Sequence, residues 1–128
     1  MTEHERVTGK KILLVDDQQE VRETIKMLLD FDGHIVTEAG DGKHALEMFE
    51  PGRFDLVITD YFMPRMRGDE LAIKVKEIAP GQLVLMVTGS AEKLGGPNAP
   101  VDGILRKPFF LEGLRQAVGQ VFCGAVVA

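Results

Sequence analysis

The side chains best suited to ionic and nucleophilic chemistry stand at the ends of apolar runs in this sequence. The runs cover residues 12–15, 56–59 and 83–87, with a shorter one at 104–105. The polar residues at or just after their ends are, in chain order, Asp16 with Asp17, Asp60, Thr88 and Lys107. Carboxylates held a few ångströms apart need a counter-charge, and a hard dication with oxygen ligands, such as Mg²⁺, supplies one. An aspartate carboxylate is also a competent nucleophile toward phosphorus.

The apolar runs alternate with segments of helical period, and this alternation is typical of βαβ units and a parallel sheet. Parallel strands end at the same edge of a sheet, and ligands bind beyond that edge where the strand order reverses. We therefore expect the three aspartates, Thr88 and Lys107 to converge on one site.

Helical segments separate the strands. Between Asp17 and Gly33, apolar residues recur at the spacing of one buried helix face, and a short strand is expected at residues 34–38. Asp41 is placed to cap a second helix, and Asp69 a third. The expected inward residues are Val21, Ile25, Leu28 and Leu29 in the first helix, Ala45, Leu46 and Phe49 in the second, Leu71, Val75 and Ile78 in the third, and Leu111, Leu114, Val118 and Val121 in the last.

The segment from Gly89 to Pro100 lies where a fourth crossover helix is expected, yet it holds glycine or proline at five positions. Glycine costs about 1 kcal/mol and proline about 3 kcal/mol in a helix interior, so we predict mostly loop here. The whole pattern predicts a polar N-terminal tail at residues 1–10, one folded domain at 11–122 and a C-terminal tail at 123–128.

Composition restricts the function classes. The 128 residues fit one domain, and 45% hydrophobic with 27% charged residues is typical of a globular protein. The net charge of −5 disfavours nucleic acid and anionic membrane as partners. Cys123 is the single cysteine, and with no apolar leader or membrane-length run we expect a reduced thiol and a cytoplasmic protein. The histidines have no ligand-like spacing and are assigned to the surface or a strand edge; they are His4, His34 and His44.

Four motifs carry a family resemblance: VDD at 15–17, TDYFMP at 59–64, VTG at 87–89 and LRKPF at 105–109. Each is weak alone, but in this order and at strand ends they resemble response regulator receiver domains, the phospho-accepting part of two-component signalling. The resemblance covers nearly the whole chain. It implies an α/β fold with a single doubly wound five-stranded parallel sheet in the order 2-1-3-4-5, here with the fourth crossover helix short or missing.

The resemblance also implies a role for each polar residue. Asp60 would accept the phosphoryl group. Mg²⁺ would be the cofactor, bound directly by Asp17, Asp60 and the backbone carbonyl of Phe62, with Asp16 holding a water on the ion. Lys107 would supply a cation, and Thr88 with the backbone amide of Gly89 would supply hydrogen-bond donors. The Lys107–Pro108 peptide is commonly cis in this family.

The implied partner is a histidine kinase or phosphotransfer protein that donates the phosphoryl group, and the output is a shape change passed to a downstream protein. Such a chain assists its own phosphotransfer and slow dephosphorylation but is not a conventional enzyme. The sequence departs from the family at Ile104, where an aromatic residue that takes part in switching is usual. If the Gly89 to Pro100 segment leaves apolar side chains of the fourth and fifth strands uncovered, that patch would bind a partner or form a homodimer; the alternative is that the segment folds over it.

Two other classes are weighed against this interpretation. A phosphorylation-independent interaction module on the same fold would not need all of Asp16, Asp17, Asp60, Thr88 and Lys107. An aspartyl-phosphate phosphatase resembles a D-x-D signature after the first strand, which VDDQQ does not match. Neither a P-loop nor G-x-G-x-x-G follows the first run, so nucleotide binding is disfavoured.

Overall fold

The computed structural model describes residues 7–89 and 100–124 of the chain. Over these residues it contains five strands and four helices. The strands are β1 (Lys11–Val15), β2 (Ile35–Ala39), β3 (Leu56–Asp60), β4 (Leu83–Thr88) and β5 (Gly103–Arg106). The helices are α1 (Gln19–Phe31), α2 (Gly42–Met48), α3 (Gly68–Ile78) and α4 (Leu111–Cys123).

All strand pairs are parallel, and the sheet order is β2-β1-β3-β4-β5. This confirms the predicted doubly wound sheet. Successive side chains of a strand point to opposite faces of the sheet. Helices cover both faces, so the central strands are buried on both sides. Ile12 and Leu14 of β1 pack with α1 and α4, whereas Leu13 and Val15 pack with α2 and α3.

The inward faces of α1 and α4 follow the predicted spacing. Ile25 and Leu29 of α1 are buried, and Leu114 and Val118 of α4 lie in the same core cluster. In α2, the Asp41 carboxylate accepts a hydrogen bond from the His44 backbone N–H at 2.8 Å, which confirms the predicted cap. Phe49 is buried but lies just after this helix rather than in it.

Two expectations for α3 are wrong. The helix begins one residue earlier than Asp69, and its N-cap is Arg67, whose backbone N–H donates to Glu70 Oε1 at 3.1 Å. The earlier start follows from Gly68, which packs so closely under β3 that a Cβ there would collide with the Asp60 carbonyl oxygen. Ile78 is half exposed, because the inward position at this end of the helix is taken by Ala79.

The two described histidines differ in burial. His44 is exposed, whereas His34 lies directly before the edge strand β2, the second of the two expected locations, and its side chain is buried there. Its Nδ1 accepts a hydrogen bond from the Lys10 backbone N–H at 3.0 Å. His4 and positions 90–99 lie outside the described residues, so the expected loop between Gly89 and Pro100 stays a prediction. Among the four helices described, none has the length and apolar character needed to cross a bilayer.

Candidate functional site

The three predicted carboxylates meet at the carboxyl edge of the sheet. Asp16 directly follows β1, Asp60 is the last residue of β3, and these neighbouring strands pair Val15 with Thr59. Asp17 stands at the start of the turn into α1. Each of the three aspartates offers one oxygen that lies within 4.8 Å of the others. Asp16 and Asp60 are buried while Asp17 is exposed, so the cluster is a shallow site open on one side.

Lys107 reaches this cluster from the loop after β5. Its backbone N–H donates to the Thr88 carbonyl oxygen at 3.0 Å, which ties the loop to the end of β4. Its Nζ lies 3.4 Å from Asp60 Oδ1 and 3.9 Å from Asp16 Oδ2. The peptide from Lys107 to Pro108 is cis, as expected from the resemblance. The ammonium therefore contacts both buried carboxylates.

Backbone N–H groups hold the two buried carboxylates in place. Asp16 Oδ1 accepts from the Gln18 N–H, and Asp60 Oδ1 accepts from the Tyr61 N–H, each at 2.9 Å. A carboxylate held by its own following backbone has a fixed direction, and its other oxygen stays available to a ligand. The turns after β1 and β3 thus aim the acids at one point.

Burial raises the pKa of both buried acids above the ordinary value. For Asp16, desolvation is the largest cause, and the charges of Asp60 and Asp17 raise the pKa further, against the Gln18 N–H and Lys107. For Asp60, desolvation again dominates over the opposing effect of Lys107, and Asp17 adds to the rise. Among the described residues, the cation in contact with these three acids is Lys107, so the cluster carries an excess of negative charge.

This donor set fits a hard divalent cation. Mg²⁺ prefers carboxylate and carbonyl oxygens and is usually held by one or two carboxylates while it keeps several waters. The three aspartates each offer one oxygen, which is enough for two direct carboxylate ligands and a third that binds a water on the ion, and a dication would offset the excess negative charge. The chemistry of the residues therefore suits Mg²⁺.

Thr88 and Phe62 occupy the positions expected of them along the chain. Thr88 is the last residue of β4, between the strand that carries Asp60 and the strand that leads to Lys107, and it is fully buried. Phe62 follows Asp60 by two residues, and its half-exposed ring meets the Tyr61 ring edge-on, with 4.7 Å between centroids. The roles of the Thr88 hydroxyl and the Phe62 carbonyl stay predictions.

The sequence patterns did not predict a role for one residue that lies close to the site. Arg22, on α1, donates from Nη1 to the Asp16 carbonyl oxygen at 2.7 Å and from Nε to Glu38 Oε1 at 3.0 Å. A single arginine beside apolar helix positions looks like an ordinary surface charge. No local signal in the sequence separates it from the other basic residues.

Comparison with known proteins adds an independent line of support. The family model of the response regulator receiver domain matches residues 12–119. The response regulator MprA of Mycolicibacterium vanbaalenii is 36% identical over 107 residues, which is 81% of this chain and 46% of that protein. MprA of Mycobacterium leprae is 37% identical over 107 residues, with 81% and 47% covered. The chain spans about half the length of these curated relatives.

Solved structures resemble the whole fold. The chemotaxis response regulator CheY4 of Vibrio cholerae has a TM-score of 0.79 and 33% identity, covering 89% of this chain and 99% of that one. The response regulator TrrA of Thermotoga maritima, solved in complex with Mg²⁺–BeF, has a TM-score of 0.80 and 30% identity, with 88% and 98% covered. Since the sheet order, the family match and these neighbours agree, the chain belongs to the response regulator receiver domain family of two-component signalling.

Proposed function

We propose that this chain accepts a phosphoryl group on Asp60 from a phosphohistidine of a histidine kinase or phosphotransfer protein. The observation that carries the proposal is the convergence of the Lys107 ammonium and two further aspartates on the Asp60 carboxylate. Of the three acids, Asp60 is the one at the end of β3 and closest to Lys107. The structure of TrrA with Mg²⁺–BeF is consistent with the same chemistry in a relative.

Each residue would contribute one part of the transfer. A free oxygen of Asp60 attacks phosphorus, the O–P bond forms as the N–P bond to the donor imidazole breaks, and the imidazole leaves with the electron pair and takes up a proton. Lys107 and the Thr88 hydroxyl stabilise the charge on the equatorial oxygens of the loose transition state. Mg²⁺ would be held directly by Asp17, Asp60 and the Phe62 carbonyl, with Asp16 holding a water on the ion, and it would neutralise charge on the reacting oxygens.

Intact-mass spectrometry after exposure to acetyl phosphate and Mg²⁺ tests the proposal. We expect one phosphoryl adduct on the wild type and none on Asp60→Ala. Asp30→Ala should keep the adduct. Asp30 is an exposed acid at the end of α1 that lies away from the cluster. A wild type without an adduct would favour the interaction module, and an adduct that persists in Asp60→Ala would place the acceptor elsewhere.

A further inference from the structure

Arg22 connects three parts of the molecule behind the acidic cluster. It lies in the first turn of α1, and its side chain is only 16% exposed. One arm of the guanidinium contacts the backbone of the β1–α1 turn at Asp16, and another pairs with Glu38 on β2. Glu38 itself is about one-third exposed. The head group is therefore fixed from two sides by a strand and a turn.

The carbonyl that Arg22 holds belongs to the peptide between Asp16 and Asp17. A peptide unit is planar, so fixing its oxygen also fixes the direction of the following N–H and restricts the rotation on either side. The Asp16 carboxylate has an anchor of its own in the Gln18 N–H. The Asp17 side chain, by contrast, is exposed. The Arg22 hydrogen bond to the carbonyl oxygen is short, at 2.7 Å, and is assisted by the charge of the donor.

We propose that Arg22 is a positioning residue for the divalent cation: it holds the peptide that aims the Asp17 carboxylate at the cluster. The inference rests on the proposed function, because it requires that the cluster binds Mg²⁺. Groups that orient metal ligands without touching the ion typically change metal affinity about 10–100-fold when they are removed. Arg22 has that relation to Asp17.

Charge alone predicts the opposite result, which makes the inference testable. Arg22 is a cation near the site, and its removal would reduce electrostatic repulsion and tighten Mg²⁺ binding. Loss of positioning would weaken binding instead. A purely structural tie between α1 and β2 would change stability and leave Mg²⁺ affinity unchanged.

The experiment measures Mg²⁺ affinity by titration calorimetry and the free energy of unfolding in EDTA for four proteins. These are the wild type, Arg22→Met, Arg22→Lys and Glu38→Gln. Methionine keeps the apolar stem but has no donor, whereas lysine keeps the charge without the two-armed geometry. Glutamine at position 38 keeps an acceptor for Arg22 Nε and removes only the ion pair.

We expect Mg²⁺ binding to weaken about tenfold or more in Arg22→Met. Arg22→Lys should fall between that variant and the wild type, and Glu38→Gln should stay within about twofold of the wild type. Unchanged or tighter binding in both Arg22 variants would overturn the inference while leaving the proposed function intact. If Arg22→Met does not fold, the lysine variant decides by the same criterion. A wild type that binds no Mg²⁺ would instead overturn the proposed function, and this inference with it.

Discussion

Replacing Asp17 with asparagine should stabilise the metal-free protein and abolish its stabilisation by Mg²⁺. In the metal-free state, Asp17 adds a third negative charge to a cluster whose nearby ammonium, Lys107, contacts only the other two acids within the described residues. Its charge is one of the causes that raise the pKa of Asp16 and of Asp60. Asparagine has nearly the same shape and removes that repulsion.

The size of the effect follows from the spacing. At 4.8 Å, the upper limit for these oxygens, two unit charges repel by about 1 kcal/mol in water-like surroundings and by about 3.5 kcal/mol at an effective dielectric constant of about 20. Asp17 is exposed, so the lower value applies to each of its two pairs. We expect the free energy of unfolding to rise by about 2 kcal/mol, with Tm higher by roughly 3–5 °C for each kcal/mol.

Mg²⁺ should reverse the order of stability. At a concentration 100 times its Kd, a ligand that binds only the folded state adds about 2.7 kcal/mol, and the wild type gains this while Asp17→Asn does not. Urea unfolding in EDTA and in excess Mg²⁺ measures both effects. Glu23→Gln, the same charge change on the exposed face of α1, should show neither. An Asp17→Asn protein that is less stable in EDTA, or that gains as much from Mg²⁺ as the wild type, would refute the reasoning.

Three further results are expected. Burial lowers the pKa of His34 below its ordinary value of 6.5. The unfolded state therefore binds more protons than the folded state, and the free energy of unfolding should fall as the pH drops below about 6.5. Urea unfolding at a series of pH values measures this fall, which should be smaller in His34→Gln. Arg65 has φ of +69° and an exposed side chain, so Arg65→Gly should raise the unfolding free energy by about 1 kcal/mol, and Arg65→Ala should not. Phe62 follows Asp60 by two residues and its ring is half exposed, and we expect the ring to limit the approach of water to the acyl phosphate. Phe62→Asn should therefore shorten the life of the phosphoryl group several-fold in a mass-spectrometric decay assay, whereas Phe31→Asn, at an exposed position at the end of α1, should leave it unchanged. Equal decay in Phe62→Asn and the wild type would contradict this role of the ring.

Short-range patterns were enough to predict a parallel sheet with polar residues at its strand ends, whereas the order of the strands came from the family resemblance. A polar residue at the end of a parallel strand lies at the carboxyl edge, and Asp16 and Asp60 meet there because β1 and β3 are neighbours in the sheet. Lys107 is also predictable as a cation at that edge, although no sequence pattern shows that its ammonium reaches across β4 to Asp60.

The errors arise where packing between distant segments overrides local signals. Asp69 has the residue type of an N-cap, but the close approach of Gly68 to β3 starts α3 earlier. Ile78 fits the helical period, but Ala79 takes the inward position there. Arg22 gave no signal because its partners, the Asp16 carbonyl and Glu38, come together only after β2 has paired with β1.

Chemical trapping identifies the accepting side chain itself. Borohydride reduces an aspartyl phosphate to homoserine, and peptide mass spectrometry then locates the converted residue. After phosphorylation by a phosphohistidine donor in Mg²⁺, we predict homoserine at position 60 and no conversion at Asp16 or Asp17. Conversion at another aspartate, or none when the protein carries a phosphoryl group, would contradict the assignment of Asp60 as the nucleophile.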